Sequence, residues 1–481
     1  MAGTIDIGQT GDGRRVSLQL RFANRHGLIT GATGMGKTVT LQRIAEGFSR
    51  AGVPVFAADV KGDLSGIAAA GDPDGKAAAR ARELGEPFTP AAFPVRLWDV
   101  FRRDGLPVQT SVDRMGALII ARMLQLNQVQ EGALSIAFKR THDDGSAFLG
   151  LDDLRWELHD MLEMRAEVSQ QYGNVTASSL TTVQREILAL ESQGANMLFA
   201  EPGLDIMDFL QVAPDGRGIV NLLHADGLME SPRAYACLLL WLLTELFRVL
   251  PEAGDLDKPK LVFFFDEAHL LFSDAPKKLL QTIERVVRLV RSKGVGVYFV
   301  TQSPQDVPDV VLAQLGNRIQ HALRAYTAKD QKMVKAAAKA FRTNPDVDAV
   351  NAITSMGTGE GLVSCLVDDG VPAMVERVKI LPPSAQIGPI SEIEREAIIL
   401  RDPLRHKYQS AEGEHAMGQA FIRRIRTERG LPVPDEDLPY DDSVVDEALA
   451  HLQAAPSRQP LSTRAWLLIL AASAFIWGAF L

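Results

Sequence analysis

Cysteine is almost absent from this chain, which has only two cysteines in 481 residues. Cys237 and Cys365 each lie in an apolar stretch, so the sequence predicts two small core residues in a reducing compartment, and neither a disulfide nor a cysteine metal site. A basic excess is lacking as well, because the net charge is −9 at pH 7. Any contact with nucleic acid would therefore come from a local basic surface. The first residues lack the basic and apolar segments of a secretory signal.

Long apolar runs are lacking over most of the chain. The segment from Ala234 to Leu250 is apolar but contains charged residues, so it is expected to be a core helix and not a membrane span. The exception is residues 465–481, which carry no charged side chain. This tail is at the short limit of the roughly 17–25 residues that a membrane helix needs. It fits either a membrane anchor with the body in the cytoplasm, or a helix packed on the body or on an oligomer partner.

What the sequence does contain is a phosphate-binding loop at residues 31–38, between a short apolar run and a segment with helical periodicity. Its glycines let backbone N–H groups surround phosphate oxygens, and the helix N-terminus adds positive charge. Lys37 is expected to reach the β- and γ-phosphates of ATP, and Thr38 to supply a hydroxyl to Mg²⁺. The predicted nucleotide-binding residues are Gly31, Ala32, Thr33, Gly34, Met35, Gly36, Lys37, Thr38 and Val39.

Two acidic residues complete the predicted site. Leu261 to Phe265 is a run of apolar residues that predicts a strand buried on both faces, and it ends in Asp266 and Glu267. In a chain with a phosphate-binding loop, Asp266 is expected to hold Mg²⁺ through water and Glu267 to be the general base that polarises the attacking water. A second buried strand ends at Gln302, which is placed to sense the γ-phosphate by hydrogen bonding.

Strands and helices alternate around these motifs, which predicts an α/β fold with a mainly parallel sheet. The predicted strand from Val53 to Asp59 ends at the edge where such sheets bind ligands. Asp59 and Asp63 could approach the metal or its waters, or could simply cap a turn, and both alternatives stay open. Residues 95–100 are expected to form an additional strand.

The composition divides the chain into six segments. These are an N-terminal hairpin with the first half of the core (1–71), a mostly helical insertion (72–215), the second half of the core with a hairpin (216–390), a helical extension (391–430), an acidic proline-rich linker (431–463) and the apolar tail (464–481).

One predicted helix, residues 328–341, carries a basic face. At 100° per residue its cations fall within an arc of about 140°. Such a face fits either contacts to nucleic-acid phosphates or a solvated surface, and the sequence leaves both open. We call these residues the basic stripe: Lys329, Lys332, Lys335, Lys339 and Arg342.

These motifs together resemble a known group of proteins. Gly31–Thr38, Asp266-Glu267 and Thr301-Gln302, in this order, are similar to the HerA/FtsK superfamily of ring-forming P-loop ATPases. Residues 25–38 and 55–66 resemble a narrower group, the bacterial HerA-like helicase proteins, often called YjgR-like. The segment 380–384 followed by Gly388-Pro389 points to the same group. The resemblance covers about residues 1–430, and the apolar tail departs from it.

The resemblance implies a RecA-like core that uses ATP and Mg²⁺, a hexameric ring with sites between subunits, and an arginine supplied by the neighbouring subunit. Arg318 is the preferred candidate for that arginine and Arg291 the second, with an ordinary surface ion pair as the alternative for either. The leading hypothesis is a cytoplasmic ATP-driven DNA translocase or helicase that contacts DNA through the basic stripe. The alternatives are a membrane-associated ATPase that moves DNA or protein, and a nucleotide-gated scaffold, against which Glu267 argues.

Overall fold

The computed structural model describes residues 3–192, 194–225, 227, 232–272, 277–409 and 411–428, together with single positions up to 450. The predicted linker lies mostly, and the apolar tail wholly, outside these residues. In the described part of the chain, no helix is long and apolar enough to cross a membrane.

Twelve strands form one sheet, and two short strands form a separate pair. The strands are β1 (Thr4–Gln9), β2 (Arg15–Gln19), β3 (Gly27–Thr30), β4 (Val55–Asp59), β5 (Val95–Asp99), β6 (Leu106–Pro107), β7 (Val220–His224), β8 (Leu261–Phe265), β9 (Val295–Thr301), β10 (Asn317–Gln320), β11 (Glu360–Ser364), β12 (Leu366–Val367), β13 (Val371–Pro372) and β14 (Glu376–Ile380).

The sheet order is β2-β1-β14-β11-β10-β3-β9-β8-β4-β7-β5-β6. All neighbours from β10 to β6 are parallel, whereas β11, β14, β1 and β2 extend the other end in antiparallel pairs. The predicted α/β fold with a mainly parallel sheet is thus confirmed.

Helices cover the sheet, and the central strands are buried on both faces as their apolar sequences predict. The helices are α1 (Lys37–Arg50), α2 (Lys76–Glu83), α3 (Val112–Met123), α4 (Gln128–Asp143), α5 (Leu151–Glu163), α6 (Arg165–Tyr172), α7 (Ala177–Ser192), α8 (Pro232–Val249), α9 (His269–Phe272), α10 (Lys277–Val290), α11 (Asp309–Leu312), α12 (Ala328–Lys339), α13 (Ala349–Ser355), α14 (Glu392–Arg401), α15 (Arg405–Tyr408) and α16 (Ala411–Glu428).

The stretch between α2 and β7 differs in detail from its prediction. It contributes β5 and β6 to the main sheet as well as the helices α3 to α7. The helical periodicity of this stretch predicts three helices, at 115–126, 152–168 and 178–193. Helix α4 is therefore an addition to the prediction, and one predicted helix covers α5 and α6, which are separated at Met164. The segment boundaries themselves stay a prediction.

The two cysteines and α8 lie in the interior, as predicted. Cys237 and Cys365 are buried, and neither is part of a disulfide. Glu245, a charged residue on the apolar helix α8, is also buried, and its carboxylate accepts a hydrogen bond from Arg114 at 2.7 Å. This partner explains how a core helix carries an acid, because a buried charge needs a counterion.

Candidate nucleotide-binding site

The phosphate-binding loop connects β3 to α1, at the carboxyl edge of the parallel strands. Three of its glycines have positive φ angles: 154° at Gly31, 76° at Gly34 and 106° at Gly36. At Gly31 there is no room for a side chain either, because a Cβ would lie 2.5 Å from the Cβ of His321. These constraints account for the glycines and leave backbone amides open to a phosphate.

Lys37 folds back over this loop. Its Nζ donates hydrogen bonds to the carbonyl of Gly31 at 2.7 Å and to that of Ala32 at 3.3 Å. Burial lowers the pKa of Lys37, while the acidic residues Glu267 and Asp266 act in the opposite direction. The structure therefore brings Lys37 into electrostatic range of the predicted acidic pair, although 229 positions separate Lys37 from Asp266 in the sequence.

The acidic pair follows β8, two strands from β3 in the sheet. Asp266 is 8% exposed, and its Oδ1 accepts a hydrogen bond from the backbone N–H of Glu267 at 3.0 Å. Burial, reinforced by the charge of Glu267, raises the pKa of Asp266 to about 7. A cation beside a buried carboxylate with a raised pKa stabilises its ionised form, and this suits the predicted role of Asp266 in holding Mg²⁺.

Glu267 adopts a φ of 47°, an uncommon conformation for a residue with a side chain. Its Oε1 accepts a hydrogen bond from Lys61 Nζ at 3.0 Å, and its Oε2 lies 3.4 Å from Nδ1 of His269. That Oε2 atom is buried and makes no hydrogen bond to the described residues. A buried carboxylate oxygen that accepts no hydrogen bond, beside an Oε1 held by Lys61, is suited to accept a proton from water.

Lys61 is the contact that the sequence analysis missed. It lies in the turn after β4, beside Gly62, which has a φ of 73°. The analysis of this turn considered only its two acids. Of these, Asp59 caps the turn, because its Oδ2 accepts the backbone N–H of Leu64 at 2.9 Å. The structure thus favours the capping alternative for Asp59. Burial raises the pKa of Asp59 to about 6.

Gln302 lies at the same sheet edge as the loop. Thr30 and Thr301 are paired in register on β3 and β9, so the residue after each strand leaves the sheet at the same level. Gln302 is exposed there. Its predicted contact with the γ-phosphate is compatible with this position and stays a prediction.

Arg318, the preferred candidate for an arginine acting on a neighbour, is engaged within its own chain. Its guanidinium donates hydrogen bonds to the carbonyls of Leu315, Leu312 and Ala340 at 2.9–3.1 Å. These three bonds would have to break before Arg318 could reach another subunit, so the structure argues against that role. Arg291 lies before β9, at the opposite edge of the sheet from Gln302.

The basic stripe lies on α12 and the residues that follow it, with all five cationic side chains exposed or partly exposed. The opposite face of α12 is apolar. Val334 and Ala337 are buried there in a second hydrophobic core that is separate from the main one. This second core also contains Met35 of the phosphate-binding loop. Arg324 Nη2 approaches the Sδ of Met35 at 3.8 Å. The helix that carries the stripe therefore shares a core with the nucleotide-binding loop.

These residues fit ATP and Mg²⁺. The glycine loop offers backbone amides, Lys37 an ammonium group, Asp266 a buried carboxylate, and Glu267 an oxygen that is free to bind water. Among the described residues, no group of three or more His, Cys, Asp or Glu side chains suggests another metal site.

A comparison with protein families now decides the assignment. The model of the helicase HerA-like C-terminal family matches residues 4–424. The chain belongs to this family. The match confirms the resemblance found in the motifs, and this HerA-like protein is a P-loop ATPase.

Solved structures share its fold at low sequence identity. The plasmid coupling protein TrwB with the GTP analogue GDPNP aligns with a TM-score of 0.54 and 13% identity, over 80% of this chain and 91% of TrwB. TrwB with ADP and Mg²⁺ aligns with a TM-score of 0.51 and 14% identity, over 81% of this chain and 91% of TrwB. The unbound conjugative coupling protein TrwBΔN70 aligns with a TM-score of 0.51 and 14% identity, over 79% of this chain and 90% of that protein. No curated protein matches the sequence.

Proposed function

We propose that this HerA-like ATPase is a DNA translocase or helicase that works as a ring oligomer. The observation that supports the proposal is the shared core of the loop and the basic stripe. Met35 belongs to the loop that surrounds the nucleotide, and it packs with Val334 and Ala337 on the buried face of α12. A shift of the loop during nucleotide turnover would displace the stripe on the other face by direct packing, which gives a physical route from hydrolysis to movement.

The chemistry is assigned to this chain's own residues. The loop amides and Lys37 bind the phosphates, and Thr38 and Asp266 would hold Mg²⁺, which would neutralise phosphate charge. Glu267 Oε2 accepts a proton from water as the water oxygen bonds to the γ-phosphorus and the bond to the bridging oxygen breaks. Lys61 holds the other oxygen of this carboxylate, Oε1, and His269 Nδ1 lies 3.4 Å from Oε2. Gln302 hydrogen-bonds to the γ-phosphate.

DNA binds to the basic stripe through its phosphates. Exposed lysines make contacts that do not depend on base sequence and that weaken steeply with salt. The overall charge of −9 opposes such binding elsewhere on the surface, so the stripe is where DNA would be attracted.

The experiment measures steady-state ATP hydrolysis with and without double-stranded DNA. We expect DNA to raise the rate, and Glu267→Gln to abolish hydrolysis while ATP still binds. The double variant Lys335→Glu/Lys339→Glu should keep the basal rate and lose the stimulation. Its matched control, Lys139→Glu/Arg185→Glu, reverses two exposed charges on α4 and α7 and should keep both.

Two results would contradict the proposal. Hydrolysis that DNA does not change would leave an ATPase with another cargo. Stimulation that survives the stripe variant would place the DNA contact elsewhere.

Ring assembly and location are tested separately. We expect light scattering to detect a hexamer when ATP is added to Glu267→Gln, and a monomer with full DNA-stimulated activity would contradict the ring.

We place the body in the cytoplasm, with residues 465–481 as a possible membrane contact. Deleting these residues should release the protein from the membrane fraction, and an unchanged distribution would refute that contact.

A further inference from the structure

Tyr326, which lies just before α12, has the largest exposed fraction of the large apolar and aromatic side chains in the described part of the chain. It is 85% exposed, and the next in rank is Trp156 with 70%. A single exposed ring is common on protein surfaces, so the surroundings of Tyr326 decide what it means.

The backbone that carries this ring is fixed on both sides. The N–H groups of Tyr326 and Thr327 donate hydrogen bonds to Oδ2 of Asp330, at 3.1 and 2.8 Å, and the N–H of Asp330 donates to Oγ1 of Thr327 at 3.2 Å. On the other side, the N–H of the buried Leu323 donates to the carbonyl of Ile353 at 3.0 Å. The ring is therefore presented to solvent from a backbone that is already ordered, so a ligand that binds it has little ordering cost to offset.

The side chains before α12 alternate between the interior and the solvent. Leu323 is buried and Ala325 packs against the second core, whereas Arg324 and Tyr326 are exposed. Because alternate residues of such a segment share a side, Arg324 and Tyr326 face the solvent together. A guanidinium thus accompanies the ring on this surface.

The cations of this surface have no acidic partners within the chain as described. Neither Arg324 nor any of the four lysines of the basic stripe forms an ion pair with a described residue. Asp330 is the only acid on α12, and it already accepts the two N–H groups named above. The positive charge near Tyr326 is therefore largely uncompensated, and it suits a ligand with regularly spaced negative charges.

An exposed aromatic ring among cations favours single-stranded over double-stranded DNA. In a duplex each base is covered by its neighbours, so a ring at the surface meets only the backbone and the base edges. In a single strand the faces of the bases are accessible, and stacking on an aromatic side chain raises affinity severalfold or more with little dependence on sequence. The lysines from 329 to 339 extend about 15 Å along the helix axis, which places cations for the phosphates on either side of a stacked base.

We propose that Tyr326 stacks on a base of single-stranded DNA while Arg324 and the lysines of the basic stripe bind the neighbouring phosphates. A single strand is then the preferred ligand of this surface, and a duplex binds through its phosphates alone. The inference rests on the DNA contact proposed above for the basic stripe and adds the form of DNA that the contact prefers. The ring is also connected to the nucleotide site, because the N–H of Ala32 in the phosphate-binding loop donates to the carbonyl of Ala322 at 2.9 Å.

The test separates the bases from the phosphates. Fluorescence anisotropy measures how the full chain, with Mg²⁺ and a non-hydrolysable ATP analogue, binds an oligodeoxythymidylate, an abasic oligomer with the same number of phosphates, and a duplex. We expect Tyr326→Ala to weaken binding of the oligodeoxythymidylate at least fivefold and to leave the other two ligands unchanged. Tyr326→Phe keeps the ring and should bind all three as the unmodified protein does. Because Tyr326 is 85% exposed, both variants should fold.

Two further variants serve as controls. Trp156→Ala removes another exposed ring, on α5, and should change none of the three affinities. Lys335→Glu/Lys339→Glu should weaken all three ligands and reduce the dependence of binding on salt, whereas Tyr326→Ala should keep that dependence.

Three results would overturn the stacking and leave the DNA contact of the basic stripe intact. These are unchanged oligodeoxythymidylate binding by Tyr326→Ala, an equal loss for the oligodeoxythymidylate and the abasic oligomer, and a duplex bound by the unmodified protein as tightly as the single strand. If Tyr326→Ala binds DNA normally but no longer assembles into an oligomer, the ring is a subunit contact instead. Failure of the unmodified protein to bind any of the three ligands would refute the DNA contact itself, and the stacking with it.

Discussion

Replacing Asp266 by asparagine should stabilise the nucleotide-free protein while it removes Mg²⁺-dependent hydrolysis. The folded protein raises the pKa of Asp266 from 3.8 to about 7 through burial and the charge of Glu267. One pKa unit corresponds to about 1.4 kcal/mol, so keeping this carboxylate ionised in the folded state above pH 7 costs roughly 4 kcal/mol. The neutral amide of Asp266→Asn removes that cost but weakens the hydrogen bond from the N–H of Glu267. We therefore expect a net gain of about 1–3 kcal/mol at pH 8.

The sign of the pH dependence follows from the same shift. Between about pH 4 and pH 7 the folded protein keeps a proton on Asp266 that the unfolded chain has lost, so the free energy of unfolding falls as the pH rises through this window. The loss from this group between pH 5 and pH 8 is about 3 kcal/mol, and the contribution of the group levels off above about pH 8. Asp59 titrates in the same direction, and its charge is one of the causes of the raised pKa of Asp266, so its contribution cancels only in part in the difference between the variant and the unmodified protein.

Urea unfolding of both proteins in EDTA, at pH 5 and pH 8, gives this difference directly. The matched control is Asp99→Asn, at the end of β5. The carboxylate of Asp99 accepts three backbone N–H groups at 2.7–3.0 Å, so this change should destabilise the protein at both pH values. If Asp266→Asn lowers stability at pH 8, or its effect is the same at both pH values, the electrostatic reasoning is refuted.

Three further substitutions test residues other than the predicted metal ligands. Lys61→Met removes the cation 3.0 Å from Glu267. Because Lys61 is half exposed, we expect this variant to lose about 1 kcal/mol of transition-state stabilisation. The loss should appear as a roughly fivefold fall in kcat with little change in ATP affinity. An unchanged kcat would show that Lys61 does not position the base. Gly47→Ala in α1 places a Cβ 2.4 Å from Ile5 Cγ2 and should lower the free energy of unfolding by about 1–3 kcal/mol. Gly132→Ala in α4, where no atom lies within 4 Å of the added Cβ, should instead raise it by about 0.5–1 kcal/mol, and thermal melts that rank the two the other way would contradict this packing argument.

The parts of the site that lie in short segments could be predicted from the sequence. The phosphate-binding loop is a run of eight residues, and the positive φ angles of its glycines are local properties of that run. The acidic pair is recognisable because it directly follows a strand of five buried apolar residues. Each of these signals is complete within about ten residues, so no knowledge of the neighbouring strands is needed.

Contacts between distant segments could not be predicted in this way. Lys61 and Glu267 are 206 positions apart and meet only because β4 and β8 are neighbours in the sheet. The three hydrogen bonds of Arg318 to carbonyls likewise depend on how loops fold around it. Helix α4 did carry a usable signal, since Asn127 and Gln130 form a capping box at its start.

The position of β3 in the sheet has a consequence for how the protein is made. This strand, from Gly27 to Thr30, is flanked by β9 and β10, which begin at Val295 and Asn317. A ribosome that adds about 5–20 residues per second needs roughly 10–50 seconds to make the intervening chain. During that time the strand that supports the phosphate-binding loop has neither of its neighbours, and its apolar residues are available to chaperones or to other nascent chains. ATP binding is therefore expected to arise late in synthesis, although the residues that bind ATP are among the first to be made.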